Sequence, residues 1–197
     1  MYKTIAVKDL LEKNGVETVE KVLSIFYSRN KEVDDYVKYN AIEFCNRKRT
    51  MSYVVFNKVE NHTFFVGFFA LTLKIAGISK EALETLPKSS SKKIKESAIY
   101  SSSKQSYDVP AYLIAHFGKN YNVPKSYQIS GNDLMDYVFA KLTEVQERIG
   151  GNLVWLECEE GNKKAETFYQ KKDIRFKPFG NRTSEKGEDF IQMIRKL

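Results

Sequence analysis

Cysteine, histidine and tryptophan are scarce in this chain of 197 residues: it has two cysteines, two histidines and one tryptophan. Cys45 and Cys158 lie far apart, without metal-type spacing, and each sits in an apolar pattern. A zinc site and a disulfide framework are therefore excluded, and both thiols read as reduced core residues. His62 falls in a polar link with no second ligand type nearby, so it reads as a surface residue and no metal is expected. No apolar run is long enough to span a bilayer, since Phe64 to Ile78 is short and contains Lys74 and Gly77. The stretch MYKTIAVKDLLEKNG lacks the apolar core and cleavage site of a secretion signal. A cytoplasmic location without a membrane partner is expected. No heptad or longer repeat is present, which removes the repeat architectures. There is no G-x-S-x-G elbow, no histidine partner for Cys158, and no G-x-G-x-x-G after a strand, so nucleophile-elbow and dinucleotide-binding schemes have no footing.

What is present describes an ordinary globular chain. Hydrophobic residues make up 42% and charged residues 29%, enough for one domain over 1–197 with a real core. The net charge is +7, from 32 basic and 25 acidic residues. That balance favours anionic partners: nucleic acid, acidic surfaces or a phosphorylated cofactor.

Helical spacing of Val16, Val19, Val22, Leu23 and Phe26 predicts a helix over 16–28. Val33, Val37, Ala41 and Phe44 predict a second over 31–47, ending in the basic tract Asn46-Arg47-Lys48-Arg49. Met51–Phe56 and Phe64–Ile78 read as two strands of an antiparallel hairpin joined by the polar link 57–63. Residues 79–109 are rich in Ser and Lys. Ser79 can cap a short helix through Leu86, and the remainder reads as a long polar excursion, with Lys88, Lys92, Lys93 and Lys95 available to an acidic substrate. Ala111–Phe117 is a further strand, followed by a long turn through Pro124. Ser130 and Asp133 then form a capping pair for a helix with an apolar stripe of Leu134, Val138, Leu142, Val145 and Ile149, stopped by Gly150-Gly151. Leu153–Leu156, continued by Cys158, reads as a strand. Gly161 breaks it, Asn162 caps a short helix bearing Ala165, Phe168 and Tyr169, and two short strands, 176–179 and 190–194, close the chain.

The pattern N-x-x-A-x-x-F-Y at Asn162, Ala165, Phe168 and Tyr169 resembles the second half of the GNAT acyltransferase fold. The element order agrees: α-α-β-β, an insertion, then β-α-β-α-β-β, a mixed and largely antiparallel α/β sheet flanked by helices. The turn Gly118-Lys119-Asn120-Tyr121 and the strand Val154-Trp155-Leu156-Glu157-Cys158 are similar to those of GNAT proteins from Gram-positive bacteria and their phages. The resemblance implies an N-acyltransferase that moves acetyl from acetyl-CoA to a primary amine by direct attack in a ternary complex. It implies Tyr169 as the acid for the leaving thiolate, Asn162 and Phe168 beside the thiol end of the cofactor, and a backbone N–H around Ala115 to Phe117 on the thioester carbonyl. The turn 118–131 would hold the pyrophosphate through Gly118, Lys119, Asn120 and the helix start at Ser130, Gly131 and Asn132, with Lys125 nearby in sequence. Gly131 matches the last glycine of the family's R/Q-x-x-G-x-G/A turn, whereas Ile129 and Ser126 depart from it.

The base stays open between His116, whose pKa ordinarily lies near neutrality, and Glu157 or Glu159 at the end of their strand. The acceptor is equally open: a small molecule, a protein amine or an aminoacyl-tRNA, the last in the manner of GNAT toxins with a small antitoxin-like partner. A homodimer fits as well as a monomer. A module of the same fold without chemistry, binding nucleic acid or protein, is the alternative from a different class.

Overall fold

The apolar run Phe64–Leu71, continuous but for Gly67, forms the middle of the longest strand and is buried from Phe65 onward. The structure, a computed structural model, describes all 197 residues. Two units make up the chain: Met1–Thr72 with Ile114–Lys141, and Leu73–Leu113 with Leu142–Leu197. Strands β1 (Tyr2–Ala6), β2 (Met51–Val59), β3 (His62–Ser79), β4 (Ile99–Ser101), β5 (Ser106–Lys119), β6 (Leu153–Glu159), β7 (Lys177–Thr183) and β8 (Asp189–Lys196) form one eight-stranded sheet. Its order is β1-β2-β3-β5-β6-β8-β7, with β4 paired to β5. This is the mixed α/β, largely antiparallel sheet expected from the element order.

In the first unit, β1 pairs antiparallel with β2 from Tyr2↔Asn57 to Ala6↔Tyr53. Two elements here escape the helical reading: β1 itself and α1 (Val7–Asn14). Gly15, at φ 75°, separates α1 from α2 (Val16–Ser24), a backbone setting that glycine adopts without strain. The expected helix over 31–47 is three pieces: α3 (Lys31–Asp35), a π-helical turn (Tyr36–Asn40) and α4 (Ala41–Asn46). Val7, Val19, Leu23, Phe26, Tyr36 and Phe68 share one buried cluster. The link 57–63 shrinks to a tight turn at Glu60-Asn61 because β2 runs on through Asn57. That asparagine is buried, donates to the Tyr127 carbonyl (3.1 Å) and accepts from the N-terminal ammonium (3.2 Å), so its polarity is satisfied inside the sheet.

In the second unit the Ser/Lys-rich excursion is ordered, which corrects its reading as a polar loop. Ser79 caps α5 (Lys80–Thr85), accepting from Ala82 N at 3.1 Å. Helix α6 (Lys88–Ser97) follows, and β4 pairs with the first residues of β5 from Ile99↔Asp108 to Ser101↔Ser106. Leu83, Leu86 and Ile94 are buried; these three anchors order a segment whose mean composition is that of a loop. Helix α7 (Gly131–Ile149) carries the expected stripe as far as Val145, but Ile149 is exposed. At the break after α7, the Tyr112 hydroxyl donates to the Gly150 carbonyl. A Cβ on Gly151, at φ 91°, would lie 3.0 Å from the Tyr112 ring. Strands β6 and β8 pair from Leu153↔Lys196 to Glu159↔Phe190, with β7 on the far side of β8. The short helix α8 (Lys163–Gln170) begins at Asn162, which accepts from Ala165 N at 3.2 Å.

Candidate active site

The first unit carries the strand end, the turn and the helix start expected to meet the cofactor. Along β5, Ala111–Ile114 are buried, whereas Ala115, His116 and Phe117, where the thioester contact is expected, are partly exposed. His116 stacks on Tyr36 (ring centroids 3.6 Å apart, 19° between planes), the first residue of the π-helical turn. Burial lowers its pKa from 6.5 to about 4, which leaves the imidazole neutral at physiological pH.

The turn Gly118–Tyr121 has a different role from the one its motif suggests. A Cβ at Gly118 would stand 3.0 Å from Ser28 and 3.2 Å from Val33, so glycine is needed there for close packing. Asn120 is fully buried. Its side-chain carbonyl accepts from Tyr27 N and Asn122 N (both 3.0 Å), its amide donates to Phe65 O (2.8 Å), and its backbone N–H reaches Val66 O (2.9 Å). Asn120 is thus a structural bridge with both ends of its amide engaged, and its expected cofactor contact is not available. Lys119 does reach a cationic spot: its Nζ and the Arg29 guanidinium lie 5.3 and 4.0 Å from the Tyr121 ring centre. Burial and the Arg29 charge both pull the Lys119 pKa down.

The rest of the turn is pinned by Val123 and Ile129 in the core, by the Tyr127–Phe64 stack (4.7 Å) and by the Tyr2 hydroxyl on Gln128 O (3.5 Å). At the helix start, Asp133 N donates to Ser130 Oγ (3.0 Å), and that hydroxyl donates onward to the Asp133 carboxylate (2.7 Å). The backbone N–H groups of Gly131 and Asn132 lie in the first turn, where no intrahelical acceptor exists. Asp133 sets a negative charge beside them.

The second unit carries Tyr169, Phe168, Asn162, Glu157 and Cys158. Tyr169 packs edge-on against Phe168 (5.3 Å) and Phe176 (6.1 Å), and its backbone carbonyl accepts from Phe176 N (2.9 Å). The residue keeps some accessible surface, yet burial, followed by the proximity of Cys158, raises its phenol well above the ordinary range. It therefore holds its proton. Cys158 is buried and its thiol is pushed up to about 11 by burial, then by Glu166 and Glu159, so it is inert as a nucleophile.

Glu157 is occupied. Arg182 grips it with two 2.7 Å hydrogen bonds and Gln192 adds one at 3.0 Å. Burial alone would raise the Glu157 pKa, but these donors outweigh it and hold the carboxyl below its usual 4.5. Arg182, which binds Glu157, and Tyr36, on which His116 stacks, escape sequence reading because neither lies near its partner in the chain. On the same face of β6 as Glu157, the buried Trp155 indole N–H has no acceptor.

No protein-family model matches the chain, and no curated protein does. Solved structures do, and the fold they share with this chain is that of bacterial toxins, AtaT and KacT among them. The chain is similar to a bacterial toxin at TM-score 0.65 and 11% identity, over 100% of this chain and 90% of that one. AtaT complexed with acetyl-methionyl-tRNAfMet matches at TM-score 0.58 and 16% identity, over 97% and 94% of the two chains. A tyrosine-to-phenylalanine mutant of AtaT, bound to acetyl-CoA and the C-terminus of the antitoxin AtaR, matches at TM-score 0.58 and 11% identity, over 99% and 92%. At such identities the likeness establishes the fold.

Proposed function

We propose that this protein is an acetyl-CoA-dependent N-acetyltransferase whose acceptor is the α-amino group of an aminoacyl-tRNA. The observation that carries the reading is the N-x-x-A-x-x-F-Y pattern standing on a helix capped by Asn162, with Tyr169 in its last turn where that pattern sets the thiol end of the cofactor. The shared fold supports it, because the toxins with that fold have been seen with acetyl-CoA and with acetyl-methionyl-tRNAfMet. The amine nitrogen bonds to the acetyl carbonyl carbon, and the C–S bond breaks with its electrons on sulfur. Tyr169 protonates the sulfur, and the proton shed by the amine passes to water and restores the phenol. Ala115 and Phe117 offer backbone to the carbonyl, and Gly131, Asn132 and Lys119 offer donors to phosphate.

The state of the base candidates favours this acceptor class. His116 is neutral and weakly basic, and Glu157 is tied to Arg182. An α-amino group, with a pKa of about 8, is already partly unprotonated near neutrality and needs little help. A lysine side chain, with a pKa of about 10.4, needs far more.

Calorimetry with acetyl-CoA and transfer of radiolabelled acetyl to aminoacyl-tRNA test the proposal. Lack of binding at millimolar acetyl-CoA removes it. The Gly118–Tyr121 turn and the β6 pattern further support kinship with Gram-positive and phage proteins, and the two free, buried cysteines support a cytoplasmic site of action; a small antitoxin-like product of a neighbouring gene is the expected partner. One observation favours the alternative of a binding module: Asp133 places a carboxylate at the helix start where a pyrophosphate is expected. Steeply salt-dependent nucleic-acid binding without acetyl-CoA binding would establish that reading instead.

A further inference from the structure

Part of the basic surface that the acetyl-transfer reading leaves unused lines two depressions of the second unit. A pocket of about 480 Å³ opens between the α5–α6 link, the end of α8 and the ends of β6, β7 and β8. Lys172, Arg175, Lys177, Arg195 and Lys196 line it, and no acidic side chain does. Backbone carbonyls hold the two guanidinium groups: Arg195 donates to Ile174 O (2.8 Å) and Lys196 O (3.1 Å), and Arg175 to Lys172 O (2.5 Å). Burial and the neighbouring Arg175 both lower the affinity of Arg195 for its proton. Like charges have been gathered here rather than dispersed.

A second depression, about 680 Å³, is lined by Lys80, Lys88, Lys92 and Lys95 together with Glu84 and Glu96. Glu96 is already engaged by Lys92 (3.9 Å) and Lys93 (3.6 Å), and Lys88 and Lys95 are exposed. Lys88, Ser91, Lys92 and Lys95 share one face of α6, while Ser89 and Ser90 face the first pocket, and Leu86 belongs to both. The two depressions therefore flank one helix and are contiguous at its start. Together they present nine basic residues against two acidic ones. A small anion fills only one of them, whereas a chain of phosphates can follow both.

We propose that this track, Lys172–Lys177–Lys196 on one side of α6 and Lys88–Lys95 on the other, binds the phosphate backbone of RNA. The choice of RNA over other polyanions rests on the aminoacyl-tRNA reading. The track lies on the Ser/Lys-rich segment and the closing strands, and one end of it begins at Gln170 and Lys172, just past Tyr169 on α8.

Two variants of the full chain test the track: Lys172→Glu/Lys177→Glu/Lys196→Glu and Lys88→Glu/Lys95→Glu. Their binding to deacylated tRNA is read by fluorescence anisotropy across a salt series, with acetyl-CoA binding measured in parallel as a check on folding. Each variant should bind tRNA at least about tenfold more weakly, with an unchanged acetyl-CoA Kd. The salt slope should fall by about one for each phosphate that the variant no longer neutralises. If either variant misfolds, the matching Lys→Gln set replaces it. Unchanged affinity and slope in both variants overturn the track. A weakening confined to one variant overturns its continuity across α6, and competition by inorganic pyrophosphate as effective as that by RNA, phosphate for phosphate, overturns the choice of a backbone ligand. If the wild type does not acetylate aminoacyl-tRNA but the variants still bind tRNA more weakly than it does, the acceptor reading fails and the track stands. If it acetylates and the variants bind tRNA normally, the track alone fails.

Discussion

Gly118–Tyr121 and Asn162–Tyr169 are both short motifs ending in tyrosine, and their polar groups are held in different ways. In the first, glycine allows a close approach by Ser28 and Val33, and the Asn120 amide ties the backbone at residues 27, 65 and 122 together. In the second, the cap at Asn162 and the packing of Phe168 and Phe176 serve to present one phenol that keeps its proton. The difference teaches that a polar motif in a candidate site is either architecture or chemistry according to where its hydrogen bonds end. Bonds closing on buried backbone mark architecture.

The largest expected effect would break that contrast on the chemical side. Tyr169→Phe keeps both ring contacts and removes the proton donor, so kcat for acetyl transfer should fall by about 10²–10⁴. The acetyl-CoA Kd, read by calorimetry, should stay within about twofold, because the loss is confined to the leaving-group step. An unchanged kcat moves Tyr169 into the architectural class. Asn120→Ala probes the other side. It deprives Tyr27 N, Asn122 N and Phe65 O of their partners in a buried setting, at a cost of about 3 kcal/mol of stability in urea unfolding. Specific activity per folded molecule should hold. A stable variant that no longer binds acetyl-CoA would return Asn120 to the cofactor site.

The third prediction concerns His116, whose stack on Tyr36 resembles architecture although its residue type suggests a base. Its folded-state value of about 4 lies below the ordinary 6.5. The unfolded chain therefore takes up a proton first as pH falls. The stability contributed is fully present above pH 6.5 and is lost as pH drops towards 4, by about 3 kcal/mol for a shift of this size. His116→Phe, which preserves the stack, should flatten urea midpoints measured between those limits, and its kcat/KM should show the same acid limb as the wild type. A shifted limb would make His116 the base.

These contrasts explain which parts could be read from residues alone. The long strand at 64–78, the Ser130–Gly150 helix and the Asn162 cap announce themselves locally, through a continuous apolar run, helical spacing and capping. Strand β1 does not, because five residues, most of them only partly buried, acquire strand geometry only by pairing with β2. Helix α6 does not, because Ile94 is its single fully buried anchor in a polar segment. The role of Asn120 was hidden for the same reason, since its partners Tyr27 and Phe65 lie 93 and 55 residues away. A motif's residue types are local information; the destination of its hydrogen bonds is not.

The smallest effect sharpens the comparison at Glu157, where chemistry was expected and an ion pair stands. The Glu157 pKa is lowered below 4.5 because donors from Arg182 and Gln192 outweigh burial. The pair's contribution is therefore present above pH 4.5 and disappears as pH falls through the lower folded-state value. Arg182 is 44% exposed, so solvent screens the pair, and Arg182→Ala should cost no more than about 0.5–1 kcal/mol at neutral pH. That cost should vanish in acid, and a double-mutant cycle with Glu157→Gln should assign it to the pair. The same variant decides the catalytic question. With Arg182 gone, the Glu157 pKa rises, so a pH–rate profile in which Glu157 were the base would move its acid limb upward. The limb should stay where it is, leaving the α-amine to reach the thioester already unprotonated.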